Sequence, residues 1–590
     1  MANGMGTLYV GKSGLVGAQN AINTTANNLT NVNTKGYVRE QVVFNDMEYS
    51  TLALTKKSHT TNQSVNMKQS GLGVTIGDVV HSRDLFLDKY YRAESGRQSF
   101  YEACYTTTSE IHELLQETEG EQFQEVLAKL NEAIQELAKE PGSAINQNLV
   151  IQKATLFVER SQALYDGLKE YQLNMNKQIM DTTNRINEIG KKISDYNEII
   201  MRVEAGKMET AMTLRDERDL LLDELGTLAN VTYAEVPGGC VKVKLEGVDF
   251  VDEICCHQMD FRVDDITGFA TPIWKELSNY PRKEYVDVFD FSNDISTELN
   301  TDIGKLKGLV MSRGTDVADF RNLYGLTEKE FQDTTGLSPV MTVQAQVDSI
   351  VRDVVNKLND LFSPTVEKEI TYYDAKEGKN VTRTLKVWDE ENGTVGNTLK
   401  GPGEELFSRR FHSRYREVID TDGNRWYALN EEDLGPVEYD DAGNPIGKDD
   451  STYYNLKNII VNPILIDDEG KLPTFEKNGE ESHRLMNEMK HAWKDREFRL
   501  TPGSLPISIE DYYDNMVGAQ ATNGNVFNGV SRSLSDSVTA IGNQREQVIG
   551  VSSDEELSNM IKYQSAYNAA SRFINTVDSM IEHIITQLGS

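Results

Sequence analysis

The sequence is poor in cysteine and in positive charge, and it lacks long apolar runs. Its 590 residues include four cysteines, and 60 Lys and Arg residues stand against 93 Asp and Glu residues, for a formal net charge of -33. A disulfide framework is not expected in so large a chain, so the cysteines are predicted to be free thiols. The acidic balance argues against a nucleic-acid partner, because binding phosphates needs clustered Lys and Arg. No apolar run approaches the ~20 residues that span a bilayer, so no membrane insertion is expected.

The N-terminus lacks the pattern of a cleavable secretory signal. Glycines interrupt the opening segment MANGMGTLYVGKSGLVG and leave no continuous apolar stretch. A signal peptide needs such a stretch before its cleavage site, so no cleaved signal is expected.

Charge is also missing from both ends of the chain. Residues 1–34 contain a single charged residue, Lys12, and residues 557–590 contain four, although charged residues make up 26% of the whole chain. An exposed helix normally carries charge on its solvent face. Both ends are therefore predicted to be covered on most sides, with the acidic charge of the middle facing solvent.

Each charge-poor end carries an apolar stripe whose spacing alternates between three and four residues. The N-terminal stripe runs from Leu8 to Val32, and the C-terminal stripe runs from Met560 to Leu588. Such a repeat is typical of helices that pair in a left-handed coiled coil. Two ordinary core helices of one globule would show the same spacing, but the missing charge argues against them.

Local signals place the ends of these two helices. The first helix is predicted to end between Thr34 and Gly36, with Gly36 as a left-handed cap. The last helix is predicted to begin near Ser553, with Glu556 completing a capping box.

Helical spacing continues inward, and β-like segments interrupt it. One helix is predicted from Phe123 to Leu137, and a helix of ~80 Å from Val150 to Val203. Further helices are predicted over 215–231, 343–361 and 509–548. The segment CVKVKLEGVDFVD alternates like a half-buried strand, and 364–500 combines short strands with turn signals near 420, 440 and 467.

The predicted fold is therefore an α+β multidomain protein. A long coiled-coil-like helical stalk is formed by both chain termini, and β-rich domains are inserted in the middle. The expected division is a terminal coiled-coil domain (1–45 with 550–590), a helical stalk domain (46–232 with 340–363 and 505–549), and β-rich inserted domains over 233–339 and 364–504. The last of these is expected to face outward.

Four segments were weighed as possible sites of chemistry, and none carries a complete ligand or catalytic set. HELLQ (112–116) lacks the second histidine of a zinc-peptidase helix, and CCHQMD (255–260) has no accompanying ligand pair. DTDGNRWYALNE (420–431) lacks the glycine of a calcium loop, which favours a hairpin turn. GLGVTIG (71–77) lacks the context of a phosphate loop. No catalytic, cofactor or metal site is predicted, and the chain is not expected to be an enzyme.

Two terminal segments resemble those of bacterial flagellar axial proteins, which include rod, hook and hook-associated subunits. They are TANNLTNVNTKGYVREQVVF, which begins at Thr25, and the segment from Arg545 to Leu588. The helical region 83–231, with RDERDLLLDELGTLANV, is similar to the family of the first hook-associated protein (FlgK type). The segments NLKNIIVNPILIDDEGKLPTF and ISIEDYYDNMVGAQA also fit that family.

The resemblance implies a structural subunit at the junction between hook and filament, outside the cell. Such subunits are exported by the flagellar type III apparatus with an export chaperone, and they need no cofactor. The implied partners are copies of itself in a ring, the hook protein, and the next hook-associated protein on the filament side. The predicted assembly interface consists of Leu8, Leu15, Ala18, Ile22, Asn27, Asn28, Leu29, Asn31, Val32, Gly36, Tyr37, Met560, Tyr563, Tyr567, Ala570, Ile574, Val577, Ile581, Ile584 and Leu588.

Two other classes of protein stay open. A hook or rod subunit shares both terminal signatures, but its β structure is expected to begin soon after residue 45, without the helices of 83–231. A coiled-coil surface protein or secretion tip protein would share the terminal helices but would not account for both signatures.

Overall fold

The computed structural model describes most of the chain. The described residues are 2–46, 50–53, 67–70, 73–116, 122–206, 210–253, 255–374, 378–399, 401–432, 438–439, 445–446 and 450–588.

Within these residues the chain forms twelve α-helices. They are α1 (Ala2–Thr30), α2 (Leu85–Gln116), α3 (Phe123–Leu137), α4 (Ala144–Glu204), α5 (Met212–Leu228), α6 (Lys305–Arg313), α7 (Glu328–Asp333), α8 (Pro339–Phe362), α9 (Pro463–Asp467), α10 (His483–Ala492), α11 (Ile509–Ile549) and α12 (Ser553–Leu588).

The described residues also form seventeen short strands in seven small sheets. The strands are β1 (Glu40–Asp46), β2 (Ser50–Ala53), β3 (Met67–Ser70), β4 (Val74–His81), β5 (Val231–Glu235), β6 (Val241–Leu245), β7 (Val248–Val251), β8 (Met259–Val263), β9 (Ala270–Trp274), β10 (Thr365–Asp374), β11 (Lys379–Trp388), β12 (Phe407–Arg409), β13 (Tyr415–Ile419), β14 (Arg425–Leu429), β15 (Glu438–Tyr439), β16 (Pro445–Ile446) and β17 (Ile459–Val461). The largest sheet has the order β10-β11-β14-β13, and β5-β6-β7 form a three-stranded sheet. The remaining sheets pair β1 with β4, β2 with β3, β8 with β9, β12 with β17 and β15 with β16. Long terminal helices with small sheets between them are the α+β arrangement that the sequence predicts.

The chain separates into two compact units. The first unit contains Met1–Gln98, Asn184–Met259 and Arg532–Ser590, and the second contains Ser99–Thr183 and Asp260–Ser531. This division differs from the four predicted domains, whose boundaries stay a prediction.

Apolar spacing located the long helices well. The helix α4 is 61 residues long and has Val150, Phe157, Ile186 and Ile193 fully buried along one row. A row of this kind forms because residues three and four apart share one helix face. The predicted helices that correspond to α3, α4, α5, α8 and α11 are therefore confirmed, with ends shifted by a few residues.

The end of α1 is a correction to the sequence prediction. The helix ends at Thr30 rather than between Thr34 and Gly36. The Asn31 amide N–H is shared between the carbonyls of Asn27 (3.1 Å) and Asn28 (3.2 Å), and the Asn31 side chain also donates to the Asn27 carbonyl (3.0 Å). An asparagine side chain competes in this way for backbone groups and ends the helix early.

Short strands follow α1 directly, which the predicted helical stalk over 46–232 did not include. Strands β1 and β4 pair antiparallel from Glu40 opposite His81 to Asp46 opposite Val74. Early β structure therefore does not separate this chain from rod and hook subunits. The helices that the sequence analysis expected to distinguish it from those subunits are present between 85 and 228.

The predicted insertion 364–504 divides into two parts within the second unit. The sheet β10-β11-β14-β13 has its own core, which includes Ile370, Val387 and Val418. The later part packs on the helices: Asn359 of α8 donates to the Phe407 carbonyl (2.7 Å) and accepts from the Phe407 amide (3.0 Å). This part also contains α9 and α10, which the sequence did not predict.

The cysteines agree with the sequence prediction. All four are free; Cys104 and Cys240 are buried, Cys255 is exposed and Cys256 is half-buried. Burial raises the pKa of the Cys104 thiol to about 12. Among the described residues, no helix combines the length and the apolar character needed to cross a membrane.

Candidate functional site

The terminal helices α1 and α12 pack against each other, and we call them the terminal helix pair. Their contacts run antiparallel, because Gly11 lies against Ile574, Gly14 against Ala570, and Asn28 near Glu556. The apolar stripes predicted from the sequence form most of the contact between the two helices.

Most predicted stripe residues are buried or half-buried in this pair. On α1 these are Leu8, Leu15, Ala18, Ile22 and Leu29, and on α12 Met560, Tyr563, Tyr567, Ala570, Ile574, Val577 and Ile581. Val32 lies in the turn after α1 and is exposed, and Ile584 is 48% exposed. The side chain of Leu588 lies outside the described residues. The stripes are thus largely used within one chain, and contact with neighbouring subunits stays a prediction for these residues.

A glycine lets the two helices approach closely. A Cβ atom on Gly11 would lie 2.7 Å from Ile574 Cγ1 and 3.1 Å from Phe573 Cδ1. Glycine costs about 1 kcal/mol relative to alanine inside a helix. The close helix contact offsets that cost.

Asn28 joins the end of α1 to the start of α12. Its side-chain amide donates to the Glu40 carbonyl (2.9 Å) and to Glu556 Oε2 (3.2 Å). Its oxygen accepts from the Tyr37 hydroxyl (2.8 Å) and the Glu40 amide (3.0 Å). An asparagine side chain has two donor hydrogens and two acceptor sites, so every one is used. Asn28 is only 1% exposed. An apolar residue at this position would leave its buried hydrogen-bond partners unpaired, which explains why an asparagine stands here.

The other two asparagines have a local role. Asn31 Nδ2 donates to both the carbonyl and the side-chain oxygen of Asn27, at 3.0 Å each, and Thr34 donates to Asn31 Oδ1 at 3.1 Å. These bonds form the turn that ends α1. A role at the helix terminus therefore accounts for Asn27 and Asn31, whereas the predicted role of both residues in the assembly interface stays a prediction.

Arg39 and Glu556 complete this network, and the sequence did not single them out as site residues. Arg39 Nη2 lies 2.7 Å from Glu556 Oε1, and Arg39 Nη1 lies 2.9 Å from Glu555 Oε2. The Arg39 amide also donates to the carbonyl of Ile549 at the end of α11 (2.9 Å). The helix α12 begins at Ser553, as predicted, but the Glu556 carboxylate binds Asn28 and Arg39 instead of completing a capping box. Burial and the nearby Glu40 raise the pKa of Tyr37.

The turn after α1 also docks on α5. The Val38 amide donates to Asp216 Oδ2 (3.1 Å), and His81 Nε2 lies 3.4 Å from Asp216 Oδ1. Gly36 has φ +81°, and a Cβ atom there would lie 2.4 Å from Leu220 Cγ. Gly36 is left-handed, as predicted, but it serves this docking turn rather than the helix end. Burial raises the pKa of Asp216 to about 7 and lowers that of His81 to about 4.

The segment RDERDLLLDEL of α5 has a definite structural role. Its acidic residues meet arginines from three other parts of the first unit, and we call the resulting set the arginine–aspartate cluster. Arg92 Nε lies 2.6 Å from Asp223, Arg545 Nε lies 2.6 Å from Asp88, and Arg545 Nη1 lies 2.7 Å from Asp223. The full cluster is Arg83, Asp88, Arg92, Asp219, Asp223 and Arg545.

Apolar side chains remain exposed on both terminal helices. Tyr9 and Val16 are seven residues apart on α1, with 58% and 44% exposure. Phe573 and Met580 are seven residues apart on α12, with 41% and 61% exposure. Residues seven apart share one helix face, so each helix presents an uncovered apolar row beside the paired stripe. In the sequence these residues form a second apolar row beside each predicted stripe. That second row was the signal that could have located the exposed surface.

Three of the four segments weighed for chemistry lie in or beside secondary-structure elements. Within the described residues, no group of three or more His, Cys, Asp or Glu could hold a metal ion. Asp420 lies at the hairpin between β13 and β14, where it accepts from the amides of Asp422 (2.9 Å) and Asn424 (2.7 Å). The predicted hairpin is confirmed. HELLQ lies in α2, and GLGVTIG lies partly in β4 and partly outside the described residues.

Comparison with known proteins adds three family matches. Residues 108–336 match the flagellar hook-associated protein FlgK helical domain. Residues 8–37 match the flagella basal body rod protein family, and residues 548–588 match the C-terminal family of the flagellar basal body rod FlgEFG proteins.

Relatives extend over nearly the whole chain. Flagellar hook-associated protein 1 of Bacillus subtilis is 22% identical over 594 residues, which cover 99% of this chain and 98% of the relative. The protein of that name from Escherichia coli is 23% identical, with coverage of 97% and 98%. The flagellar hook junction protein FlgK from Burkholderia pseudomallei superimposes with a TM-score of 0.49 and 10% identity, over 78% of this chain and 99% of that one. Over nearly its full length the chain is thus similar to proteins named flagellar hook-associated protein 1, and its residues 108–336 match the helical domain of that family.

Proposed function

We propose that the chain is a structural subunit of the bacterial flagellum. It forms the junction between hook and filament and permits the filament to assemble. The observation that carries the proposal is the match to proteins named flagellar hook-associated protein 1 over nearly the whole length of both chains.

The proposed partners follow from the position of a junction subunit. They are copies of itself in a ring, the hook protein on one side, and the next hook-associated protein and the filament on the other. The apolar rows of the terminal helix pair support this proposal, because Val16 and Met580 expose apolar surface that a neighbour could cover. The protein is proposed to lie outside the cell, after export by the type III apparatus with a chaperone and without a cleaved signal. The region 364–504 is proposed to face outward from the axis.

The proposed role needs no catalysis. Such a subunit acts through its contact surfaces rather than through a reactive centre.

A rod or hook subunit is the second candidate. The family matches at 8–37 and 548–588, which belong to rod-type proteins, favour it. The match of 108–336 to the FlgK helical domain favours the junction instead.

A deletion strain separates these two candidates. Loss of a junction subunit should leave complete hooks without filaments, with filament protein released into the medium. Loss of a rod or hook subunit should leave no complete hook. Electron microscopy of the cell surface, with immunoblots of the medium, makes the measurement. The same strain carrying the wild-type gene is the control.

The apolar row on α12 can be tested separately. Met580→Asp places a charge on an exposed apolar position, so the free chain should fold normally while its assembly fails. Gln564→Asp, at an exposed polar position of the same helix, is the matched control and should support swimming. Normal filaments in the Met580→Asp strain would show that neighbours do not cover this row.

A further inference from the structure

A cavity of about 230 Å³ lies inside the first unit, beside the arginine–aspartate cluster. Its walls come from the segment 81–92, from α5 and from the strands β5 and β6. A single water needs roughly 10–15 Å³ of such space, so the cavity has room for a polyatomic ligand.

The lining of this cavity is rich in cations. Five of its residues are Lys or Arg and three are Asp or Glu, in a chain whose net charge is -33. The lining cations are Arg83, Lys89, Arg92, Arg215 and Arg218. Such a concentration of positive charge in an acidic protein calls for a specific explanation.

Carboxylates of the protein account for part of this charge. Arg215 lies 2.7 Å from Glu204 and 2.7 Å from Glu235, and Arg83 lies 2.7 Å from Asp88. Arg92 is paired within the cluster described above. The positive charges of Arg83, Arg92 and Arg215 are therefore balanced by neighbouring carboxylates.

Arg218 is different. It is 2% exposed, and its Nη1 donates only to neutral oxygens, the Gly239 carbonyl (2.6 Å) and Asn197 Oδ1 (3.1 Å). Within the described part of the chain, no carboxylate lies within ion-pair distance of Arg218, and its Nε has no hydrogen-bond partner. Burial, followed by repulsion from Arg215, lowers the pKa of Arg218 to about 10. A buried cation normally has a paired counter-charge, whereas Glu235 and Glu204 act on Arg218 only from beyond ion-pair distance, so its charge is balanced in part.

Two further donors around the cavity are unused. Arg92 Nη1 and the Tyr233 hydroxyl have no hydrogen-bond partner among the residues that the structure describes, and both residues line the cavity. The guanidinium of Arg92 lies 4.5 Å from the centroid of the Tyr233 ring. A buried donor without a partner costs about 1–3 kcal/mol. All three donors belong to residues that line one cavity, which favours a ligand that accepts hydrogen bonds.

We propose that this cavity binds a small oxyanion, and that Arg218, Arg92 and Tyr233 are the residues that hold it. Phosphate, sulfate and carboxylate share the required chemistry, since each has negative oxygens that accept from a guanidinium fork. The bound anion supplies the counter-charge of Arg218 and fastens α5 to the strands β5 and β6. This site is separate from the terminal helix pair and does not depend on the proposed function.

Calorimetry on the purified full chain tests the proposal. Inorganic phosphate, sulfate and acetate are titrated separately at constant ionic strength, with chloride as the balancing ion. At least one of the three should bind saturably with a stoichiometry of one, and the same anion should raise the melting temperature above that in chloride. Which of them binds tells an inorganic oxyanion from a carboxylate.

Variants then locate the site. Tyr233→Phe removes a buried hydroxyl that has no partner, so the melting temperature of the free protein should stay the same or rise while the anion affinity falls. Arg218→Gln removes a charge-assisted contact and should weaken binding about 10- to 100-fold. Arg416→Gln, at an exposed arginine of β13, is the matched control and should bind as the wild type does.

Three results would overturn the proposal. One is the absence of saturable binding for all three anions. Another is stabilisation that follows ionic strength alone and is equal in chloride, which would mean general screening. The third is unchanged affinity in Tyr233→Phe, which decides the matter even if Arg218→Gln does not fold.

Discussion

The terminal helix pair and the arginine–aspartate cluster belong to the same unit, but different forces hold them. The two helices of the pair are held together by their apolar stripes and approach closely at a glycine. A polar network joins them at one end. The cluster is joined by charge, with three arginines and three aspartates from α2, α5, α11 and the segment before α2. The comparison shows that one unit can combine a contact made mainly by apolar surface and close approach with one made by charges on particular atoms.

This difference bears on how the two regions respond to change. An apolar stripe loses energy roughly in proportion to the surface uncovered. A buried ion network loses far more when one member is removed, because the partners remain buried and uncompensated. The predictions below test that contrast.

Removal of Arg545 should have the largest effect. It contacts Asp88, which is 1% exposed, and Asp223, so Arg545→Met leaves two carboxylates without this partner. The expected loss of stability is about 3–5 kcal/mol. Hydrogen exchange in α2, α5 and the end of α11 measures it locally, which is needed because a chain of two units need not unfold in two states.

An exposed arginine provides the control for Arg545→Met. Arg202 pairs with Glu198 on the exposed surface of α4, so Arg202→Met should cost less than about 1 kcal/mol. Equal effects of the two substitutions would mean that the cluster is only a set of surface ion pairs.

A charge in the helix pair should have a smaller effect. Ile574 faces Gly11 and is half-buried, so Ile574→Asp loses apolar contact and partly desolvates a carboxylate. The expected loss is about 2–4 kcal/mol, confined to α1 and α12. Faster hydrogen exchange in these two helices, with the second unit unchanged, is the expected result. Normal protection of α1 would show that the pair does not depend on this stripe.

The sequence predicted the helix pair and missed the cluster for a physical reason. Stripe residues repeat every three or four positions along each helix, so α1 and α12 could be recognised separately. The aspartates of α5 and Arg545 are far apart in the chain and meet only after folding. An ion pair between distant segments leaves no periodic signal, and RDERDLLLDEL was recognised only by its resemblance to a family.

The turn after α1 and the strands β1 to β4 were predicted less well than the long helices. The turn after α1 depends on Asn28, whose four hydrogen bonds reach residues as distant as Glu556. The sequence placed Asn27, Asn28 and Asn31 together in the predicted interface and did not distinguish the buried Asn28 from the other two. Strands β1 and β4 were missed because EQVVFND and VTIGDVVH do not alternate strictly between apolar and polar residues, and β2 and β3 have only four residues each.

Asp216 connects the two regions, and its pKa gives a pH-dependent prediction. Its folded pKa of about 7 lies above its ordinary value, so the folded state keeps a proton that the unfolded chain releases. Its contribution to stability is present at low pH and is lost as pH rises through 7. Asn cannot lose a proton, so Asp216→Asn should become more favourable relative to the wild type between pH 5 and pH 8, by roughly 1–3 kcal/mol.

The groups around Asp216 bear on how this experiment is read. His81, whose pKa is lowered, has the opposite sign, because its unfolded form takes up the extra proton between about pH 4 and 6.5. Arg83 and Glu40 also act on the Asp216 carboxyl. All three are present in both proteins, so the difference between wild type and variant reports Asp216 together with its interaction with His81. Thermal unfolding at pH 5 and pH 8 measures it, and a difference that does not change with pH would contradict the prediction.

The smallest effect, and the sharpest test of the shape-based contact, comes from two glycines three residues apart on α1. A Cβ atom on Gly14 would lie 3.7 Å from the Ala570 Cβ, which is ordinary van der Waals contact. Gly14→Ala should therefore stabilise α1 by up to about 1 kcal/mol, through its better helix propensity. The same change at Gly11 gains the same propensity but places a Cβ 2.7 Å from Ile574 Cγ1, so the helices must move apart. Gly11→Ala should be destabilising by about 1–2 kcal/mol overall. Hydrogen exchange in α1 should thus slow in one variant and accelerate in the other, whereas a contact set only by apolar area would give both substitutions the same sign.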